Sequence, residues 1–188
     1  MKKTIIMLLL MLLVGTRAVA QQKYYGDGMD DYLRFVPFAA SVALKAAGVE
    51  SASTWKRYTV NAAISTTLAL GAAYVLKKEI KDTRPDGTDR KAFPSGHTTL
   101  AFLGAAVLDK EFRHVSPWIS VAGYATATAV AIDRVARNRH HWHDVAAGAA
   151  IGLGGTWIGY WLGDKITGEH SRFHVQAAGT MLAVQVDL

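Results

Sequence analysis

From Thr59 to Leu76 the chain carries no charged residue, and more than half of that stretch is Ala, Gly, Ser or Thr. Small side chains let helices approach closely, so the stretch predicts a helix packed tightly against others, in a membrane or in a dense soluble bundle. Ser53 or Thr54 caps it, Trp55 opens it, and it is expected to end near Lys78. A second uncharged run, Val145–Gly163, is also near the length that crosses a bilayer. These two runs commit the chain to a helical fold, and the remaining helices have to be arranged around them.

Those helices are marked by their ends. Asp30 or Asp31 can cap a first helix that runs to about Ala47 and stops at Gly48, with Pro37 kinking it or delaying its start. A third helix begins near Ser95 and runs to Phe112. Ser116-Pro117 reads as N-cap and first helical residue of a fourth, which continues to about Arg134. A fifth starts near His141 and runs to Trp161. After it, Leu182, Val184, Val186 and Leu188 alternate with Ala183, Gln185 and Asp187, a strand pattern with a possible hairpin through Gly179. The fold class is therefore all-α: a bundle of about five core helices with a short C-terminal β-like tail.

The first twenty residues read as targeting rather than fold. Lys2 and Lys3 precede the apolar run Ile5–Val14, and Ala18-Val19-Ala20 forms a small-residue cleavage site before Gln21. The expected organisation is a signal peptide at 1–20, a helical domain at 21–164 and a tail at 165–188. The protein is accordingly expected to be exported. Hydrophobic residues are 51% of the chain and charged residues 19%. That balance is apolar for a soluble protein and polar for a set of long spans. We expect a membrane-embedded bundle, although the third helix has only Thr98–Leu108 free of charge, about 16 Å of rise. If the helices span, 77–97 and 134–144 share the outer face and the Lys110/Arg113 turn lies inside. The formal charge is +6, half of it from Lys2, Lys3 and Arg17. With no basic stripe, nucleic acid is not an expected partner. There is no Cys, so disulfides and thiolate metal sites are excluded.

Three blocks carry the candidate chemistry. Lys77 is followed after six residues by Arg84-Pro85, then comes Pro94-Ser95-Gly96-His97-Thr98, and finally Arg134, His140 and Asp144. A loop turning into a helix at Ser95 presents free backbone N–H groups that attract an anion, and Gly96 lets that anion approach the backbone. Lys77, Arg84 and Arg134 supply three cations, and Ser95 and the Gly96 N–H add neutral donors. His140 and Asp144 are four apart at a helix start, so the carboxylate can accept the Nδ1 proton and leave Nε2 as a nucleophile. Lys77 is preferred to Lys78 because it alone gives the six-residue gap. His140, His141, His143 and Asp144 could instead hold a metal, but HExxH spacing is absent and no metal or other cofactor is expected.

In order and spacing the three blocks resemble the signature of the type 2 phosphatidic acid phosphatase superfamily, which includes vanadium haloperoxidases and bacterial acid phosphatases. The resemblance covers roughly Trp55 to Gly163. It implies that His140 forms a phosphohistidine, that His97 protonates the leaving oxygen and later activates water, and that Lys77, Arg84, Ser95, Gly96 and Arg134 bind the phosphate. One position departs: Asp133 stands where the family usually has Ser before the Arg of the third block. The envelope lipid phosphatases of this superfamily imply a lipid phosphate or pyrophosphate substrate, of lipid A, undecaprenyl pyrophosphate or phosphatidate type. They also imply an inner-membrane site facing the periplasm. The alternatives are a soluble periplasmic acid phosphatase of broad specificity, a vanadate-dependent haloperoxidase and a non-catalytic anion- or lipid-binding protein.

Overall fold

The computed structural model describes residues 28–170 and the backbone of two strands at 173–178 and 181–186. The expected signal peptide and the turn at Gly179 lie outside the described residues. Among the described residues six helices precede the strands: α1 (Met29–Leu33), α2 (Val36–Ala46), α3 (Trp55–Glu79), α4 (Gly96–Phe112), α5 (Pro117–Ala136) and α6 (Trp142–Thr167). The strands β1 (Phe173–Ala178) and β2 (Met181–Val186) pair antiparallel, with Phe173 opposite Val186 and Ala178 opposite Met181. The fold is thus a helical bundle with a short β tail, as expected. α3 packs along α6, α4 packs on both α5 and α6, and α2 lies against α4.

The helix starts follow their caps. Thr54, Ser95 and Ser116 each accept a backbone N–H of the first turn, from Arg57, Thr98 and Trp118. Pro37 marks the expected late start: the chain turns at Arg34-Phe35, and Pro37 sits in the first turn of α2, where its missing N–H costs nothing. Of the two candidate caps, Asp31 accepts the Gly28 N–H at 3.0 Å, whereas Gly28 holds the N-cap position and Asp30 is fully buried. The last helix also runs six residues past Trp161, to Thr167, and ends on Gly168 at φ +69°.

Small residues set the spacing between helices. A Cβ on Gly152 of α6 would stand 2.5 Å from the Thr99 carbonyl oxygen and 2.9 Å from the Leu103 nitrogen of α4. One on Gly159 would stand 2.6 Å from the Ser65 backbone in α3. α6 therefore lies directly on the backbones of both neighbours. Around these contacts Tyr58, Ala69, Leu103, Val107 and Tyr160 form one apolar cluster, and Ala101, Ala105, Ala127 and Val130 another.

The outside of the bundle is apolar as well. α3 and α6 are long and apolar enough to cross a bilayer, and only 28% and 33% of their spanning windows are buried within the bundle. Tyr74, Trp118, Trp157, Trp161 and Ile166 are each more than half exposed. A core helix of a soluble protein would bury such side chains; here they are turned outward.

The glycine contacts can be tested. Gly152→Ala forces α6 away from α4 and is expected to cost about 1–3 kcal/mol. Gly154→Ala meets nothing within 4 Å and should be neutral or stabilising by up to about 1 kcal/mol through helix propensity. Thermal melts of the two variants in detergent check the contrast.

Candidate active site

The third block is shaped by the way α5 ends. Arg137 is the C-cap, and Asn138 follows with φ +55°, a left-handed conformation that Asn tolerates. The Arg139 N–H returns to the Arg134 carbonyl at 3.0 Å and the Asn138 N–H to the Val135 carbonyl at 3.0 Å, the paired bonds of a Schellman turn. The His140 N–H also donates to the Arg134 carbonyl, at 3.2 Å. The five-residue gap between Arg134 and His140 is therefore the length of a helix stop. α6 then starts at once, with the Asp144 carboxylate accepting the His141 N–H at 2.8 Å in a capping box. His140 is 2% exposed and its Nδ1 lies 3.4 Å from Asp144 Oδ2.

The second block is tied to the third through the backbone: the Ser95 N–H donates to the Asp144 carbonyl at 3.0 Å. Ser95 is fully buried, and its hydroxyl is 3.0 Å from that of Thr98. At Gly96 a Cβ would meet nothing within 4 Å, so open space lies beside the helix N-terminus, whose first N–H groups have no partner within the helix. In the first block, Lys77 is half-buried while Lys78 is exposed, and Lys77 Nζ donates to the Lys91 carbonyl at 2.8 Å. Arg84 is held by Asp89 Oδ1 at 2.8 Å and by the Arg139 carbonyl at 3.1 Å. Arg134 is buried, and its Nε has no hydrogen-bond partner among the described residues. A buried guanidinium with an unused donor is poised for an acceptor that a ligand would bring.

All three cations act on His140. Burial, then Arg134, Arg84 and Lys77 in that order, push its pKa down to about 2, while the Ala92 carbonyl beside the ring acts in the opposite sense. The imidazole is therefore neutral, the form that can act as a nucleophile. His97 is also held below its ordinary value, by burial first and then by Arg134. Lys77, Arg84, Ser95, Gly96, His97, Arg134, His140 and Asp144 thus come together at one end of the bundle.

The sequence did not announce what α1 contributes. Asp30 takes a bond from Arg134 at 2.5 Å and another from Arg137 at 2.5 Å. Burial raises its pKa, but the charge and hydrogen bond of Arg134 outweigh this and hold the carboxyl below its ordinary value. Asp31 Oδ1 and an Arg34 NH both lie 2.7 Å from His97 Nε2. Asp133, the departure from the family pattern, stands 3.7 Å from Arg137 and beside Asp30. Its carboxylate joins the cluster around α1. The adjacent acids at 30 and 31 were the only local signal, and they read equally well as helix caps.

This chain belongs to the PAP2 superfamily, whose family pattern matches residues 58–167. Over 165 residues, 85% of this chain, it is 34% identical to a lipid A 1-phosphatase of Porphyromonas gingivalis. Over 90 residues, 42% of this chain, it is 34% identical to lipid phosphate phosphatase 2 of Arabidopsis thaliana. The matches span 37% and 30% of those two proteins, about a third of the length of each. The crystal structure of LpxE from Aquifex aeolicus superposes with a TM-score of 0.56 at 19% identity, over 78% of this chain and 93% of that one, and shows the same helical fold.

The depressed pKa of His140 has a consequence for stability. Its ordinary value is 6.5 and its folded value about 2. Between those limits the unfolded chain binds a proton that the folded chain refuses, so stability falls as pH drops below 6.5. His140→Gln removes this contribution. The loss of melting temperature between about pH 7.5 and pH 5 should be smaller in the variant than in the wild-type protein.

Proposed function

We propose that this protein is a phosphatase that hydrolyses a lipid phosphate or pyrophosphate through a phosphohistidine at His140, with its site facing the periplasm from the inner membrane. The observation that carries the proposal is the buried, neutral His140 beside Asp144, surrounded by Lys77, Arg84 and Arg134. A phosphoryl group in transit spreads negative charge over three oxygens, and catalysis is mostly positioning and charge stabilisation. The three cations, the Ser95 hydroxyl and the amides at Gly96 suit those oxygens.

His140 Nε2 attacks phosphorus with its lone pair while the bond from phosphorus to the ester oxygen breaks in line. Asp144 accepts a hydrogen bond from Nδ1–H without becoming protonated, and its charge stabilises the positive ring as it forms. His97 gives its Nε2 proton to the departing oxygen. It then takes a proton from water, the resulting hydroxide attacks phosphorus, and the P–N bond breaks to release phosphate and restore His140. In the empty site Asp31 and Arg34 occupy Nε2 of His97, so the ester oxygen replaces them during turnover.

The outward apolar faces of α3 and α6 favour a lipid substrate and a membrane location over a soluble phosphatase of broad specificity. The similarity to a lipid A 1-phosphatase puts glycolipid phosphates first among substrates, ahead of polyprenyl pyrophosphate and phosphatidate. Three cations supplied by side chains leave the proposed chemistry no need of a metal.

The deciding experiment is phosphate release from lipid A, undecaprenyl pyrophosphate and phosphatidate in mixed micelles, alongside trapping of radiolabelled phosphoenzyme. We expect release from at least one lipid, and His140→Ala should abolish both release and labelling. Undiminished labelling of His140→Ala would place the nucleophile elsewhere.

The role of His97 is tested through the leaving group. His97→Ala should lose most activity on an alkyl or glycosyl phosphate. It should keep a larger fraction on p-nitrophenyl phosphate, whose oxygen leaves with little protonation. Equal fractional losses on both substrates across pH 4 to 9 would remove His97 from the role of acid.

A further inference from the structure

Beside Asp144 lie three side chains that the proposed chemistry does not use. Asp82 from the loop before α4 meets His141 and His143 at the start of α6. His143 Nε2 is 2.9 Å from Asp82 Oδ2 and 3.2 Å from Asp144 Oδ1. His141 Nδ1 is 3.5 Å from Asp144 Oδ2 and 4.0 Å from Asp82 Oδ2. The two imidazoles stack at 5.0 Å with 10° between their planes, and Phe93 stacks on His143 from its other neighbour. Asp82 is anchored in turn, because its backbone carbonyl accepts the Ala92 N–H at 3.0 Å.

Two observations point to a cation. First, one ligand atom from each of the four residues lies within 4.8 Å of every other, and a four-coordinate zinc ion with bonds of 2.0–2.1 Å would draw such atoms to about 3.3–3.4 Å apart. Second, Asp144 is fully buried, and its Oδ1 has no hydrogen-bond partner among the described residues although it faces His143. His141 Nδ1 is likewise shielded from solvent and unpartnered. Two neutral imidazoles and two carboxylates would neutralise a divalent ion. Imidazole nitrogen selects zinc or another late transition metal over magnesium or calcium. The His143 side chain is 61% exposed, which leaves a route in from solvent. The other group of this kind, Asp30, Asp31 and His97, is surrounded by Arg34, Arg134 and Arg137, and those cations already occupy its carboxylates.

We propose that Asp82, His141, His143 and Asp144 form an inhibitory site for a zinc-class divalent cation. Asp144 is the shared group. Its Oδ2 lies 3.4 Å from His140 Nδ1 and 3.5 Å from His141 Nδ1, and its Oδ1 lies 3.2 Å from His143. An ion bound to it withdraws the negative charge that stabilises the His140 imidazolium and competes for the oxygen that orients the ring. Occupancy therefore slows formation of the phosphohistidine. The inhibitory half rests on the role proposed above for Asp144, whereas binding does not.

The test uses the full-length protein in detergent, first stripped with EDTA. Co²⁺ serves as the spectroscopic probe and Zn²⁺ as the competitor. We expect one Co²⁺ per chain, with visible d–d absorption of the intensity of a four-coordinate ion, abolished by Zn²⁺. His143→Ala and Asp82→Asn should each weaken binding about 10- to 100-fold or more and lower the sensitivity of phosphatase activity to Zn²⁺ in parallel, with turnover in EDTA unchanged. Absence of the cobalt spectrum in the wild-type protein would overturn the site. So would equal binding by wild type and both variants. A normal spectrum with no loss of activity on saturation would overturn the coupling through Asp144. The spectrum reads binding even on a chain that hydrolyses none of the lipids tried, so failure of the site and failure of the proposed activity give different results.

Discussion

Arg134 is the residue on which the site depends, and it acts through two different groups. Its carbonyl closes the turn that ends α5 and takes the His140 N–H, which places the imidazole. Its guanidinium is buried, bonded to Asp30 on one side and left with an unused Nε. A buried cation of this kind is costly unless it is paired. Asp30 supplies part of that pairing, and the proposed phosphate supplies the rest during turnover. The same charge adds to burial in lowering the pKa of both neighbouring imidazoles. Position, charge and protonation state are thereby coupled at one side chain.

The opposite end of the bundle is also pinned by buried polar groups. Arg57 of α3 forms a two-point pair with Asp164 of α6 at 2.8 and 2.9 Å, and Asn61 donates to the same carboxylate at 2.8 Å. Glu111 of α4 accepts from Ser53 at 2.7 Å and from Tyr160 at 2.8 Å. These networks fix how far α3, α4 and α6 can slide along one another. The middle of the bundle has little that could do so, because glycine and alanine contacts there are close but carry no direction. Polar networks at the two ends and close small-residue contacts between them together hold α3, α4 and α6 in register.

Much of this was legible beforehand. The caps at Thr54, Ser95 and Ser116, the small-residue packing of α3 and the three blocks are local patterns, and local patterns survive folding when the backbone that carries them is regular. The gap between Arg134 and His140 is a clear case, since it is the length of one helix stop and can be counted in the chain. Asp30 and Asp31 are the opposite case. Two acids before an apolar stretch look like a helix cap, and nothing nearby distinguishes that role from pairing with an arginine 104 positions away. The burial of Asp30 follows from that long-range pairing.

What the sequence determined by itself is the set of helices, the spacing of the three blocks and membership in the superfamily. Each depends on residue type and on separations along one chain. Only the tertiary structure decided that α1 folds back over the site, that Asp82 meets His141 and His143, and that Asp144 stands between two imidazole groups. Those contacts depend on how α4, α5 and α6 are packed. That packing is set by close backbone approach at a few small residues, whose partners a linear pattern does not identify.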